Sequence, residues 1–116
     1  MENNEEEEYK YYLNDGFYGS FLNMTCKPIV LIPSCLKERD DKTPTYPCSI
    51  WGQTCNGRDC ITKHCQMPKL QVAEWVFFEA IGAYSIASAS TFNGFSILPC
   101  YYVAPKCLQS LFQDAF

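Results

Sequence analysis

The first regular pattern along the chain is an alternation of apolar and more polar residues over positions 9–14. A period of two is typical of a β-strand with one buried face. The next residues, Asn14-Asp15-Gly16, supply turn chemistry, since a glycine takes a positive φ at little steric cost. An apolar segment at 17–21 follows the turn. The pattern therefore predicts a β-hairpin over residues 9–21.

The middle of the chain alternates between short apolar segments and polar loops. Residues 33–47 contain three prolines and a charged cluster, which together predict an exposed loop. Residues 52–57 are polar and bracketed by glycines, so an irregular loop is expected there. The other segments are predicted as a third strand at 27–32, a short strand at 49–51 and one or two helical turns at 59–65.

The last third of the chain is rich in β-prone residues. Residues 72–78 and 83–87 are predicted to be extended, and the Asn93-Gly94 pair predicts a turn over 92–95. A further strand is predicted at 97–103 and a terminal helical turn at 108–112. Several short strands separated by turns predict an all-β fold, either an antiparallel sandwich or a distorted barrel.

Length and charge limit what such a domain can do. A chain of 116 residues forms one modest core but is too short for a barrel that encloses a cofactor, so an independent enzyme is not expected. The net charge of −4 comes from five glutamates in the first eight residues, because the remaining eight acids face nine bases. We expect residues 1–8 to be a disordered leader and 9–116 to be the domain. The bases are scattered, so no nucleic-acid partner is predicted.

Eight cysteines would suit a secreted domain stapled by disulfides, but the acidic start lacks the features of a secretory signal. A reduced, cytosolic location is therefore expected, with most thiols acting as small core side chains. No C-x-x-C pair is present and His64 is the single histidine, so no metal site is predicted. No apolar run approaches the roughly 20 residues that span a bilayer, so no membrane segment is predicted.

No catalytic triad, phosphate loop or paired-carboxylate spacing emerges from the residues alone, but four motifs carry a resemblance. Residues 12–21 (Y-L-N-D-G-F-Y-G-S-F) and 49–59 (S-I-W-G-Q-T-C-N-G-R-D) are similar to Y-V-N-D-G-V-Y-G-S-F and S-I-W-G-P-T-C-D-G-x-D. Residues 82–84 (G-A-Y) and 90–95 (S-T-F-N-G-F) match two more. In this order, these motifs resemble the carboxy-terminal β domain of the eukaryotic ornithine decarboxylase family.

The resemblance implies a fold, a cofactor and partners. In that family a pyridoxal-phosphate-binding barrel precedes the β domain, and the active site forms between the barrel of one subunit and the β domain of its partner. The implied reaction removes the α-carboxylate of an amino acid, in polyamine biosynthesis, with the cofactor as electron sink. Because the cofactor lysine belongs to the barrel, this chain would supply half of a site. A homodimer, or assembly with a barrel domain, is expected.

The resemblance also implies roles for five residues. Cys55 matches the thiol that protonates the carbanion left after decarboxylation, and Tyr84 matches a phenol that hydrogen-bonds the cofactor phosphate. Phe92 and Tyr18 match aromatic residues on the substrate side of the dimer interface, and Asp59 matches an acid that pairs with a base across the dimer. Judged without the motifs, Cys55 is an inert structural thiol and the aromatics are ordinary core residues.

Two departures from the family pattern concern the substrate. Asn56 stands where ornithine-specific enzymes carry a carboxylate for the distal ammonium, and an amide cannot supply that charge. Ungapped comparison places Lys27 where the second carboxylate is expected, and a lysine repels an ammonium. Altered or lost ornithine specificity is therefore expected, with preference for a substrate that lacks a distal cation.

Two alternatives remain open. The chain could belong to a non-catalytic relative resembling the antizyme inhibitors, whose partner, antizyme, binds the family's barrel. It could equally be a truncated product without activity of its own, since its length covers only the β domain.

Overall fold

The computed structural model describes residues 7–25 and 30–112, and a three-stranded sheet forms the centre of this part of the chain. Two short strands form a second sheet, and short helical turns close the fold. In chain order the elements are β1 (Tyr9–Tyr12), α1 (Leu22–Thr25), β2 (Ser34–Cys35), β3 (Thr45–Trp51), β4 (Cys60–Pro68), β5 (Val76–Phe77), two 3-10 turns (Ile86–Ser88 and Phe92–Gly94) and α2 (Lys106–Phe112).

The central sheet has the strand order β1-β3-β4. Strand β1 runs parallel to β3, with Tyr9 opposite Cys48, whereas β3 and β4 are antiparallel neighbours joined by a loop. The register of β3 and β4 shifts on both sides of Ile50, an irregularity of the bulge type that increases local twist. The predicted all-β class is confirmed, although one strand pair is parallel and the described strands do not close into a barrel.

The predicted hairpin over residues 9–21 is wrong in its second half. One oxygen of the Asp15 carboxylate accepts hydrogen bonds from the backbone N–H groups of Gly16 and Ser20, at 2.8 and 2.9 Å. A Cβ atom on Gly19 would lie 1.9 Å from that same oxygen. The Asp15 side chain therefore folds the segment into a compact turn, and β1 pairs with β3 instead of with residues 17–21.

The core forms around strands β3 and β4. Strands β3 and β4 contribute Cys48, Ile50, Ile61 and Met67, all at most 7% exposed. Phe21 and Leu31 complete this core cluster from the segments before and after the undescribed residues 26–29, and burial of such side chains is the main stabilising term of the domain.

Tertiary pairing overrules local propensity at several places. The helical turns predicted at 59–65 are wrong, because residues 60–65 lie in β4, which pairs with β3. The loop predicted at 33–47 is broken by β2 and ends at Thr45, where β3 begins. Strand β3 contains the predicted strand 49–51, and α2 contains the predicted terminal turn at 108–112.

Other β-prone segments lack a neighbouring strand and stay irregular. Only Val76–Phe77 of the segment 72–78 forms a strand, which pairs with β2. The segments 83–87 and 97–103 form no strand, and 83–87 overlaps a 3-10 turn. Of the strand predicted at 27–32, residues 30–32 are not regular and the others lie outside the described residues.

The predicted leader is described only at residues 7 and 8, which have no regular structure. Residues 1–6 lie outside the described part, so the expectation of disorder stays a prediction. Within the described ranges, no helix is both long and apolar enough to cross a membrane.

Cys48 and Cys65 face each other across β3 and β4, with their sulfur atoms 3.3 Å apart. Burial, followed by the adjacent Cys65 thiol, raises the pKa of Cys48 from 9.0 to about 12. The folded chain therefore holds the Cys48 proton in a pH range where an unfolded chain loses it. Both residues are free thiols.

The stability of the domain should fall in alkaline solution. Because the pKa of Cys48 is higher in the folded state, its contribution is complete below about pH 9 and is lost as the pH rises towards about 12. Urea unfolding at about pH 8 and about pH 10.5 should show a smaller pH-dependent loss in Cys48→Ala than in the unaltered chain. An equal loss in both proteins would contradict the assignment to Cys48.

Candidate functional site

The loop between β3 and β4, residues 52–59, is closed at its base and exposed at its tip. The N–H of Gly52 donates to the carbonyl of Asp59 at 2.9 Å, and the N–H of Asp59 donates to the carbonyl of Asn56 at 3.0 Å. These bonds extend the β3–β4 ladder by one step and turn the chain inside the loop. Cys55 lies in the loop and is exposed, so its thiol is presented by a closed hairpin loop rather than by the core.

Asp59 anchors this loop to the turn that follows β1. Its side chain is buried, at 2% exposed, and one carboxylate oxygen accepts a hydrogen bond from the N–H of Phe17 at 2.8 Å. The other oxygen accepts from the N–H and the hydroxyl of Thr54, at 2.9 and 2.5 Å. A buried acid is tolerated when its oxygens are satisfied in this way. The carboxylate thus joins two segments that are 42 residues apart.

Two glycines make room for the Asp59 carboxylate. A Cβ atom on Gly16 would lie 2.3 Å from one carboxylate oxygen, and a Cβ atom on Gly52 would lie 2.1 Å from it. Any larger residue at either position would therefore force the carboxylate out of place. The dimer contact predicted for Asp59 stays a prediction, but within this chain its carboxylate already serves three donor groups.

A third segment, residues 90–95, packs against the turn after β1. The N–H and the hydroxyl of Ser90 both donate to the carbonyl of Tyr18, at 2.8 and 2.9 Å. The ring of Phe92 stacks on the ring of Tyr18, with centroids 4.1 Å apart and an interplanar angle of 25°. The structure therefore brings together the two aromatic residues that were predicted for the substrate side.

The same segment reaches Cys55. The side-chain amide of Asn93 donates to the sulfur of Cys55 at 3.4 Å, across 38 residues of sequence. Asn93 has a φ of 61°, a left-handed conformation that asparagine adopts more readily than most residues. The sequence predicted only that Asn93 lies in a turn, and that prediction came from the Asn93-Gly94 pair. The turn over 92–95 is confirmed, and its contact with Cys55 is additional.

Tyr84 and Asn56 occupy different surroundings. The side chain of Tyr84 is 74% exposed, and within the described ranges no hydrogen bond or ring contact joins it to Cys55, Phe92 or Tyr18. Asn56 follows Cys55, and its side-chain oxygen accepts a hydrogen bond from the N–H of Arg58 at 2.8 Å. No hydrogen bond from the side-chain nitrogen of Asn56 is found among the described residues. Lys27 lies outside the described residues.

The enclosed space beside this cluster is small. The cavity lined by Tyr18, Thr54, Asp59 and Phe92 measures about 20 Å³, whereas small-molecule sites usually require roughly 300 Å³ or more. The described residues contain no group of three or more His, Cys, Asp or Glu side chains able to hold a metal ion. The Cys55 thiol is therefore exposed beside a cavity that is too small for a typical small-molecule ligand.

Comparison with known proteins defines the family. The sequence profile described as "Pyridoxal-dependent decarboxylase, C-terminal sheet domain" matches residues 1–82, more than half of the chain. The chain belongs to this decarboxylase family. The decarboxylase sheet domain is 41% identical over 112 residues to ornithine decarboxylase from Mus musculus and 41% identical over 105 residues to antizyme inhibitor 2 from Xenopus laevis.

A solved structure gives the same result. The sheet domain is similar to arginine decarboxylase from Paramecium bursaria Chlorella virus, with a TM-score of 0.78 and 33% identity over 83% of this chain and 26% of that one. It covers 94% and 90% of its own length in the mouse and frog comparisons, but only 24% and 23% of those relatives. The chain thus spans about a quarter of the length of the relatives it matches.

The glycine next to Asp59 provides a stability test with a matched control. Gly52→Ala should lower the free energy of unfolding by about 2–3 kcal/mol, because the added methyl group collides with the carboxylate. Gly57→Ala, in the same loop, meets nothing within 4 Å and should change stability by less than about 0.5 kcal/mol. Urea denaturation of both variants makes the comparison. Equal values for the two would show that Asp59 does not fill the space at Gly52.

Proposed function

We propose that this sheet domain supplies the proton-donating thiol, Cys55, to a pyridoxal phosphate site that a decarboxylase barrel domain completes. The observation that supports this most is the placement of Cys55: an exposed thiol in a loop locked by Asp59, held at its sulfur by Asn93. A structural thiol has no need of exposure or of an aligned polar neighbour.

The residues present fit one edge of a cofactor site. Tyr84 offers an exposed phenol, a donor suited to a phosphate oxygen because it adds no charge of its own. The cavity beside Tyr18 and Phe92, at about 20 Å³, is too small to enclose a cofactor. When bound, pyridoxal phosphate supplies an electron sink for the electrons left by the departing carboxylate.

Proton transfer to the substrate is assigned to a residue of this chain. We assign to the Cys55 thiol the transfer of its proton to the substrate carbon that has lost carbon dioxide, which leaves the sulfur negatively charged. The stacked pair of Tyr18 and Phe92 flanks the loop and supplies an apolar wall that limits access of water. Proton transfer by a positioned group contributes about 10²–10⁴-fold in rate.

Asn56 supports a substrate without a distal ammonium group. Its oxygen is engaged with the backbone at Arg58, so its amide nitrogen faces a ligand as a donor. An N–H donor does not accept a hydrogen bond from an ammonium group and carries no charge to balance one. Amino acids with an uncharged side chain are therefore the proposed substrate class. Similarity to ornithine decarboxylases does not by itself make ornithine the substrate of this chain.

We also propose assembly with a barrel domain, as a homodimer of such two-domain subunits, in the cytosol. Large apolar side chains are exposed on the described surface, among them Trp75 at 68%, Tyr101 at 86% and Val103 at 95%. Apolar exposure on this scale suits a covered interface. The seven described cysteines are free thiols, which fits a reducing compartment.

A regulatory role is the second candidate. Similarity to antizyme inhibitor 2 matches that to ornithine decarboxylase at 41% identity, and Asn56 replaces a carboxylate that substrate binding uses in the resemblance described above. Under this alternative the barrel-containing protein would bind antizyme without decarboxylating amino acids. Capture of the protein by immobilised antizyme, combined with inactivity on all substrates, would favour it.

A chimera tests the proposed catalysis. The barrel of mouse ornithine decarboxylase, fused to this chain in place of its own sheet domain, should release carbon dioxide from leucine faster than from ornithine or lysine. Cys55→Ala should lower kcat by about 100-fold or more, because the proton donor is removed. A chimera that clearly prefers ornithine would contradict the substrate assignment.

The matched control is Asn56→Asp, which restores a carboxylate after Cys55 and should shift the preference of the chimera towards ornithine. The expected gain is about tenfold in kcat/KM for ornithine relative to leucine. An unaltered ratio would show that Asn56 does not face the substrate.

A further inference from the structure

We propose that Asn93 is a positioning residue that orients the Cys55 sulfur and stabilises the negative charge it acquires on giving up its proton. The inference rests on the proposed role of Cys55. It gives a role to Asn93, a residue to which no function has been assigned above. The contact behind it is the hydrogen bond of 3.4 Å from the Asn93 amide to the Cys55 sulfur. Among the described residues, Asn93 is the one hydrogen-bond partner found for that sulfur.

The position of Asn93 is fixed from several sides. Its neighbour Phe92 is stacked on Tyr18, and Ser90 is bonded twice to the carbonyl of Tyr18. The N–H of Gly94 donates to the carbonyl of Thr91 at 2.9 Å and closes the turn. Asn93 itself holds a left-handed backbone conformation inside this turn, a local strain that surrounding contacts must maintain. The turn thus fixes the position of the Asn93 side-chain amide.

Cys55, the other partner in this hydrogen bond, is also constrained. The loop that carries Cys55 is tied through Thr54 and Asp59 to the turn after β1. That same turn contains Tyr18, on which Phe92 rests. Cys55 and Asn93 are therefore both connected to the same turn, residues 15–20, through contacts of their sequence neighbours Thr54 and Phe92.

The chemistry of an amide suits this task. An N–H donor pointed at sulfur directs the S–H proton away from Asn93, towards the open side of the loop. When the proton leaves, the same donor faces a negatively charged sulfur, where hydrogen bonds become stronger. The amide neither gains nor loses a proton near neutral pH, so it cannot compete as an acid or base.

Alkylation of the 116-residue chain tests the contact without any cofactor. Iodoacetamide at about pH 7.5 labels the negatively charged sulfur, and peptide mass spectrometry follows Cys55 against Cys107, an exposed thiol on α2. Asn93→Gly removes the donor and tolerates the left-handed backbone, whereas Asn93→Asp replaces the donor with a negatively charged acceptor of the same size. The rate ratio of Cys55 to Cys107 should fall about threefold in Asn93→Gly and about tenfold in Asn93→Asp.

Asn14→Asp is the control for charge, since Asn14 is exposed and its new carboxylate would not touch Cys55. It should leave the ratio unchanged. A fall in Asn14→Asp equal to that in Asn93→Asp, or an unchanged ratio in both Asn93 variants, overturns the proposal. If Asn93→Asp unfolds, which rapid labelling of buried Cys48 would reveal, Asn93→Gly decides alone.

The chimera separates this inference from the proposed function. Asn93→Gly should lower its kcat with little change in KM, because the donor acts on the thiol and not on substrate binding. A reduced alkylation ratio in an inactive chimera would reject the decarboxylase role and keep the Asn93–Cys55 contact. An unchanged ratio and an unchanged kcat in an active chimera would reject the Asn93 role alone.

Discussion

The carboxylate of Asp59 is the contact on which the arrangement of this domain depends. It is buried at the base of the β3–β4 loop and accepts hydrogen bonds from Phe17 and from both donors of Thr54. A polar group placed in the interior must be fully bonded to be tolerated, so each donor must stay where it is. One acid therefore fixes the loop that carries Cys55 to the turn that carries Tyr18.

This contact ties an exposed loop to the folded body of the domain. Loops at a protein surface are usually mobile and are positioned by the scaffold beneath them. Here the parallel pairing of β1 with β3 brings the turn after β1 beside the β3–β4 loop, and Asp59 joins the two. The 92–95 turn then adds Phe92 and Asn93 to the same surface. Three segments of the chain thus meet on one surface, in a domain that spans about a quarter of its relatives' length.

The sequence predicted the elements that local patterns encode and missed those that depend on contacts between distant residues. The alternating residues of β1, the strand at 49–51 and the Asn93-Gly94 turn are local patterns, and each is confirmed. The segment 59–65 was predicted as helical because its strand character comes from pairing with β3, which no local pattern encodes. Likewise, the turn after β1 was read as half of a hairpin because the bonds of the Asp15 side chain were not visible in the residue order.

The site shows the same division. Motif resemblance selected Cys55, Tyr18 and Phe92, and the structure places the two aromatic residues against each other and Cys55 beside the turn that holds Phe92. The motif resemblance did not identify the buried position of Asp59 or the contact of Asn93 with the Cys55 sulfur, since both depend on packing between distant segments. Tyr84 was selected by the same resemblance but stands apart from this cluster, in a surface turn.

Amide hydrogen exchange at Phe17 and Thr54 tests the central claim most directly, because both N–H groups donate to the Asp59 carboxylate. The account predicts that these two loop amides exchange as slowly as those of β3, and that Asp59→Asn accelerates both together. Fast exchange of both amides in the unaltered chain, at the rate of an exposed loop, would contradict it.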